Sequence, residues 1–122
     1  MSRILLIEDD EACRDMILRR LAPEGFTIEC AFDGESGVRL AALFDPHVIL
    51  MDLWLGEGID GWETTRRLKS EPATSHIPVI AVTAHTEPEN RIRSLAAGCS
   101  EFEAKPIDRK RLLGKIADCL AA

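Results

Sequence analysis

A chain of 122 residues is long enough for one two-sided hydrophobic core and too short for two. Hydrophobic residues make up 46% and charged residues 30%, which excludes the apolar-poor composition of disordered chains and the biased composition of fibrous ones. The net charge of −6 disfavours direct binding to nucleic acid or an anionic membrane, since both recruit proteins through clustered Lys and Arg.

No window approaches the run of about 18 apolar residues that a membrane helix requires, and the start of the chain lacks a signal-peptide pattern. One cytoplasmic domain over residues 1–122 is therefore expected. Cys13, Cys30, Cys99 and Cys119 are widely spaced, without CxxC or a His at metal-ligand spacing, so they read as buried reduced thiols. Arg109-Lys110-Arg111 reads as a solvated helix face.

Arg3 to Ile7 is a short, unalternated, β-branched run, as in a strand covered on both faces of a parallel sheet. It ends in Glu8-Asp9-Asp10. Cys13, Met16, Ile17 and Leu21 then share a stripe at helical spacing, and Pro23 and Gly25 stop that helix. Phe26 to Ala31 reads as a second strand. Asp33 is a plausible N-cap for a second helix that carries Val38, Ala41 and Ala42 inward.

His47 to Met51 forms a third strand that delivers Asp52 to its end. A glycine-rich loop, 53–61, leads into a third helix with Thr64 and Leu68 on one face, ended by Glu71-Pro72. Ile77 to Val82 is the fourth strand. Thr86-Glu87-Pro88-Glu89 has the form of a capping box before a helix with Ile92, Leu95 and Ala96 inward, and Gly98 is placed to stop it. Glu101 to Ala104 is a fifth strand, and Asp108 caps a last helix with Leu112, Leu113, Ile116 and Leu120 on its apolar stripe. Strict strand-helix alternation implies right-handed crossovers, giving an α/β fold: a flavodoxin-like, doubly wound, five-stranded parallel sheet of order 2-1-3-4-5 with five helices.

Such sheets bind ligands beyond the carboxyl ends of the strands, where the strand order reverses. Strands one and three flank that point, so the acidic cluster and Asp52 are expected to meet. Converging carboxylates repel one another unless a cation is present. All-oxygen donors suit Mg²⁺, with Mn²⁺ as an alternative, and Asp9, Asp10 and Asp52 are the expected ligands. Asp10 has a second reading as a helix cap that favours the helix dipole. A strand-end aspartate can also act as a nucleophile that forms an acyl phosphate. Lys105 would supply positive charge to a phosphoryl oxygen, and Thr83 a hydroxyl donor.

Together these residues resemble the response-regulator receiver domains of two-component signalling over essentially the whole chain. The resemblance is carried by Asp9 and Asp10 after Ile4-Leu5-Leu6-Ile7-Glu8, Asp52 in Val48-Ile49-Leu50-Met51-Asp52-Leu53, Asp60-Gly61, Thr83-Ala84, Ala97-Gly98 and Lys105-Pro106. It implies phosphoryl transfer to Asp52 from a phosphohistidine on a histidine kinase or histidine phosphotransfer protein, assisted by Mg²⁺. It further implies a metal ligand at the backbone carbonyl of Trp54, a switch formed by Thr83 and Phe102, and tuning of acyl-phosphate hydrolysis at His85; the Lys105-Pro106 bond, commonly cis in the family, is left open between its two isomers. The phosphorylated domain would change partner preference at the face of helix four, strand five and helix five. Such a domain would be a signalling switch that assists its own phosphorylation and dephosphorylation rather than an enzyme, and is expected to be a monomer acting on an unknown downstream protein.

The expected form is a stand-alone regulator, with a receiver excised from a longer regulator or hybrid kinase as the alternative. The loop Trp54-Leu55-Gly56-Glu57-Gly58-Ile59-Asp60-Gly61 departs from the family: it is one residue longer and has Gly56 in place of proline, so greater mobility is expected there, with metal affinity or phosphoryl lifetime altered. A flavodoxin-type carrier would need a phosphate cradle where the acidic cluster stands. A haloacid-dehalogenase-type phosphatase would need a second acid at Trp54. A silent receiver-like interaction module would have lost the acceptor, an acid or the lysine.

Overall fold

The computed structural model describes residues 2–121; residues 1 and 122 of the expected domain lie outside the described residues. In chain order the elements are β1 (Arg3–Ile7), α1 (Glu11–Leu21), a 3-10 turn (Ala22–Glu24), β2 (Thr27–Ala31), α2 (Gly34–Phe44), β3 (Val48–Asp52), α3 (Gly61–Ser70), β4 (Val79–Thr83), α4 (Pro88–Ala97), β5 (Glu101–Ala104) and α5 (Arg109–Ala121). The strands form one sheet in the order β2-β1-β3-β4-β5. Every neighbouring pair is parallel, as the alternating pattern requires.

Period-two geometry divides the strand residues between two cores. Leu5, Ile7, Ile49, Met51, Val79 and Ala81 pack with Ala41, Trp62, Leu68 and Ala97 of α2, α3 and α4. Ile4, Leu6, Val48, Leu50, Ile80 and Val82 pack with Ile17 and Leu21 of α1 and with Leu112 and Ile116 of α5. β3 and β4 are buried at every position, which is why their sequences do not alternate. The edge strand β2 alternates more exposed with less exposed residues.

Asp33 caps α2 by accepting from the Ser36 N–H at 2.7 Å, and Asp108 accepts from the Arg111 N–H at 2.9 Å, both as expected. The start of α4 differs. Its N-cap is Glu87, with no side-chain cap bond and Pro88 in the first turn. Proline sets the helical φ and holds the preceding residue extended, so the helix begins after Thr86 can serve as its cap.

The buried face of α4 also differs from the periodicity reading. Ile92 and Leu95 are 67% and 56% exposed, Ala96 is exposed, and Ser94 and Ala97 are the buried residues. Ser94 Oγ receives the Trp62 Nε1–H at 3.0 Å and donates to the Asn90 carbonyl. A polar residue thus takes the inward position because its hydroxyl is satisfied there, and the helix is rotated accordingly. Ala42 of α2 is likewise exposed. All four cysteines are free thiols; Cys99 is buried and the other three are half-buried.

Candidate functional site

Asp52 ends β3, and β1 runs beside β3 in register, with Ile7 opposite Met51. The residues that follow, Glu8 and Asp52, therefore emerge next to each other at the carboxyl edge. Asp9 joins them: one carboxylate oxygen each from Glu8, Asp9 and Asp52 lies within 4.8 Å of the others. Glu8 and Asp52 are buried and Asp9 is exposed.

Asp10 is not part of this group. Its side chain accepts from the Cys13 N–H at 2.9 Å and caps α1, and that bond holds its carboxyl below the usual carboxylate range. The carboxylates that stand beside Asp52 are therefore those of Glu8 and Asp9, where Asp9 and Asp10 were expected. The cap needs its carboxylate turned back over the first helical turn, which directs it away from the strand ends. An aspartate directly before an amphipathic helix is itself an N-cap signal, and in the sequence it points to this outcome.

Lys105 follows β5 and reaches across the end of β4. Its Nζ lies 2.8 Å from Glu8 Oε1 and 3.5 Å from Asp52 Oδ1. Burial works against its charge, but the Glu8 hydrogen bond and the neighbouring carboxylates outweigh it and raise its pKa. The Asp52 pKa is raised too, which for a carboxyl disfavours the charged form. Burial first, then the negative charge of Glu8, push it up to about 7, against opposing contributions from Lys105 and the Trp54 backbone N–H. One ammonium therefore does not neutralise the crevice. Three hard oxygen donors with surplus negative charge fit a divalent cation of the Mg²⁺ type.

Two glycines make room at this edge. A side chain at Gly61 would collide with the Asp52 carbonyl, so α3 can begin against the end of β3 only with glycine there. Gly56 has φ +62°, and a Cβ on it would stand 2.9 Å from Asp9 Oδ2. The departure seen in loop 53–61 thus supplies a left-handed turn and space for an acidic side chain.

Thr83 is fully buried at the end of β4. Its Oγ1 accepts from the His85 N–H at 3.1 Å, and its carbonyl accepts from the Lys105 N–H at 2.8 Å. Phe102 is buried opposite Ala81 in β5, with the Arg91 guanidinium 4.7 Å from its ring centroid. The Lys105-Pro106 bond is cis, the isomer common in the family. Trp54 projects its ring outward, stacked on His85 with centroids 3.9 Å apart. Trp54 also meets Trp62 edge-on at 5.1 Å.

Two further features have no counterpart among the sequence motifs. Glu103 is fully buried, with Lys115 Nζ at 2.7 Å and Arg111 Nη2 at 3.3 Å; Arg111 is thus an ion-pair partner rather than a purely solvated residue. Arg14 donates to the Glu8 and Asp9 carbonyls. Arg111 and Lys115 stand 8 and 12 residues beyond Glu103, a spacing that follows no local periodicity and so marks no pair in the sequence.

The family model for the response regulator receiver domain matches residues 4–117. The chain belongs to this family. As a receiver domain it is 36% identical over 115 residues to the response regulator PleD of Caulobacter vibrioides, covering 94% of this chain and 25% of that protein. It is 33% identical over 116 residues to the transcriptional regulator RpaA of Synechocystis, covering 95% of this chain and 48% of that protein. The chain thus spans about a quarter to a half of the length of these relatives. Among solved structures, the receiver domain of a Pseudomonas aeruginosa sensor histidine kinase, with a magnesium ion coordinated in its active-site cleft, superposes with a TM-score of 0.92. That match has 30% identity and covers 99% of this receiver domain and 98% of that chain. The receiver domain of a histidine kinase from Syntrophus aciditrophicus gives a TM-score of 0.89 at 30% identity, covering 99% and 91%. No helix among the described residues is long and apolar enough to cross a membrane.

Proposed function

We propose that this receiver domain accepts a phosphoryl group on Asp52 from a phosphohistidine of a histidine kinase or phosphotransfer protein. The observation that carries the reading is the arrangement of Asp52: a buried carboxylate at the sheet switch point, with Lys105 at 3.5 Å and the oxygens of Glu8 and Asp9 beside it. In the transfer, an Asp52 oxygen forms a bond to phosphorus as the bond from phosphorus to the imidazole nitrogen breaks, and the electron pair leaves with the ring. Asp52 must be ionised to attack, so a cation that lowers its raised pKa favours the reactive form.

Glu8, Asp9 and Asp52, with the Trp54 carbonyl as a further oxygen donor, would hold Mg²⁺ or Mn²⁺. Such an ion supplies positive charge to the phosphoryl oxygens. Lys105 places its ammonium on the other side of the acceptor. Phosphorylation adds roughly two negative charges and strong acceptor oxygens. Thr83 then exchanges its bond with the His85 N–H for one donated to a phosphoryl oxygen, and Phe102 moves toward the vacated volume. The exposed Ile92 and Leu95 of α4 support a partner-binding role for the α4-β5-α5 face. The protein is a signalling switch that assists its own phosphorylation and dephosphorylation.

Intact mass measured after incubation with Mg²⁺ and a small acyl-phosphate donor tests the reading. Wild type is expected to gain one hydroxylamine-labile phosphoryl group, and Asp52→Asn none. No gain on wild type, or equal gain on both, overturns the assignment.

A further inference from the structure

We infer that Arg14 is a positioning residue for the metal-binding acids, fixing the backbone of Glu8 and Asp9 from the first turn of α1. This rests on the proposed Mg²⁺ role of those acids. One guanidinium nitrogen, Nη1, donates to the Glu8 carbonyl at 3.0 Å and to the Asp9 carbonyl at 2.9 Å. The same guanidinium lies 4.1 Å from the ring centroid of Phe32, which follows β2. Arg14 therefore ties the segment after β1 to its own helix and to the neighbouring loop.

The two acids depend on this tie unequally. Glu8 has other restraints: its N–H donates to the Ala31 carbonyl at 3.0 Å, Oε1 binds Lys105 at 2.8 Å and Oε2 accepts from the Asp10 N–H at 3.3 Å. Asp9 is exposed, and the hydrogen bond that fixes it runs through its backbone carbonyl to Arg14. It is the ligand with most conformational freedom to lose when an ion binds. Groups that orient metal ligands without touching the metal alter affinity strongly.

The sign of the effect separates positioning from charge. A guanidinium beside the crevice repels a cation, so if Arg14 acted through charge alone its removal would tighten metal binding. If it acts by holding the loop, removal weakens binding despite the lost repulsion. Arg14→Lys keeps the charge on a flexible stem without the planar fork, and Arg14→Met removes both.

The experiment titrates Mn²⁺ into the wild type and the two variants, following free Mn²⁺ by electron paramagnetic resonance with Mg²⁺ as competitor. Melting temperature in metal-free buffer is measured alongside. Both variants are expected to raise Kd by about tenfold, by a factor that does not follow their melting temperatures. Unchanged or tighter binding in either variant overturns the inference. Phe32→Ala removes the ring and leaves the donors, with an expected weakening of about two- to fivefold; if the position-14 variants do not fold, an unchanged Kd here overturns it. A wild type that binds neither ion refutes the metal site itself and is distinguished from failure at Arg14.

Discussion

Asp52→Asn is expected to stabilise the metal-free protein, and to do so only where Asp52 is charged. In the folded state Asp52 titrates near 7 rather than at its ordinary 3.8, so ionising it costs more in the folded than in the unfolded chain. That rise corresponds to about 4 kcal/mol at full ionisation. The figure is a ceiling, because Lys105 and Glu8 rearrange around whichever form is present, and about 1–2 kcal/mol is the expected gain. The sign follows from proton linkage: between pH 3.8 and about 7 the folded state binds more protons than the unfolded state, so wild-type stability falls as pH rises through this window. Asparagine does not titrate. Urea unfolding of both proteins in EDTA, from pH 4 to pH 8, should show the variant ahead at high pH and the difference shrinking toward the acid end. At neutral pH the midpoint of thermal unfolding should rise by about 3–8 °C. Saturating Mg²⁺ should narrow the gap by stabilising wild type selectively. A gap independent of pH, or a variant less stable than wild type at pH 8, would refute the account of the crevice as short of positive charge.

Gly56→Ala should weaken Mg²⁺ binding, because the added Cβ would stand 2.9 Å from Asp9 Oδ2. The left-handed backbone should add a stability cost of about 1–2 kcal/mol, and equal Mg²⁺ affinity by fluorescence titration would count against it. Glu103→Gln leaves the Lys115 ammonium without its carboxylate at 2.7 Å. Since Lys115 and Arg111 can partly rehydrate, a loss of about 1–3 kcal/mol in denaturant unfolding is expected, and a neutral result would show that the buried ion pairs contribute nothing net. His85→Ala should brighten Trp54 emission by removing the ring stacked on it, and should shorten the lifetime of phosphorylated protein by opening the loops beside Asp52. An unchanged lifetime would leave His85 as a surface histidine without a role in hydrolysis.

The five-unit alternation, the parallel sheet, and the placing of Asp52, Thr83 and Lys105 at strand ends are legible in the chain alone. These follow from local signals: unalternated apolar runs, caps such as Asp33 and Asp108, and the stop at Gly98. The 3.6-residue pattern failed at α4, where the buried Ser94 depends on a hydrogen bond from Trp62, 32 residues away. Which acids face Asp52 depends on long-range contacts. Three acids in succession look alike as letters, and the outcome turns on the Cys13 N–H that captures Asp10 and on the Lys105 ammonium that holds Glu8 from 97 residues away. The same is true of Gly56, whose value lies in the space it leaves for Asp9, and of Arg14, whose guanidinium closes over carbonyls that the sequence does not show. Periodicity and capping act within a few residues of chain. The choice among equivalent side chains at a site is made by partners that only folding brings together.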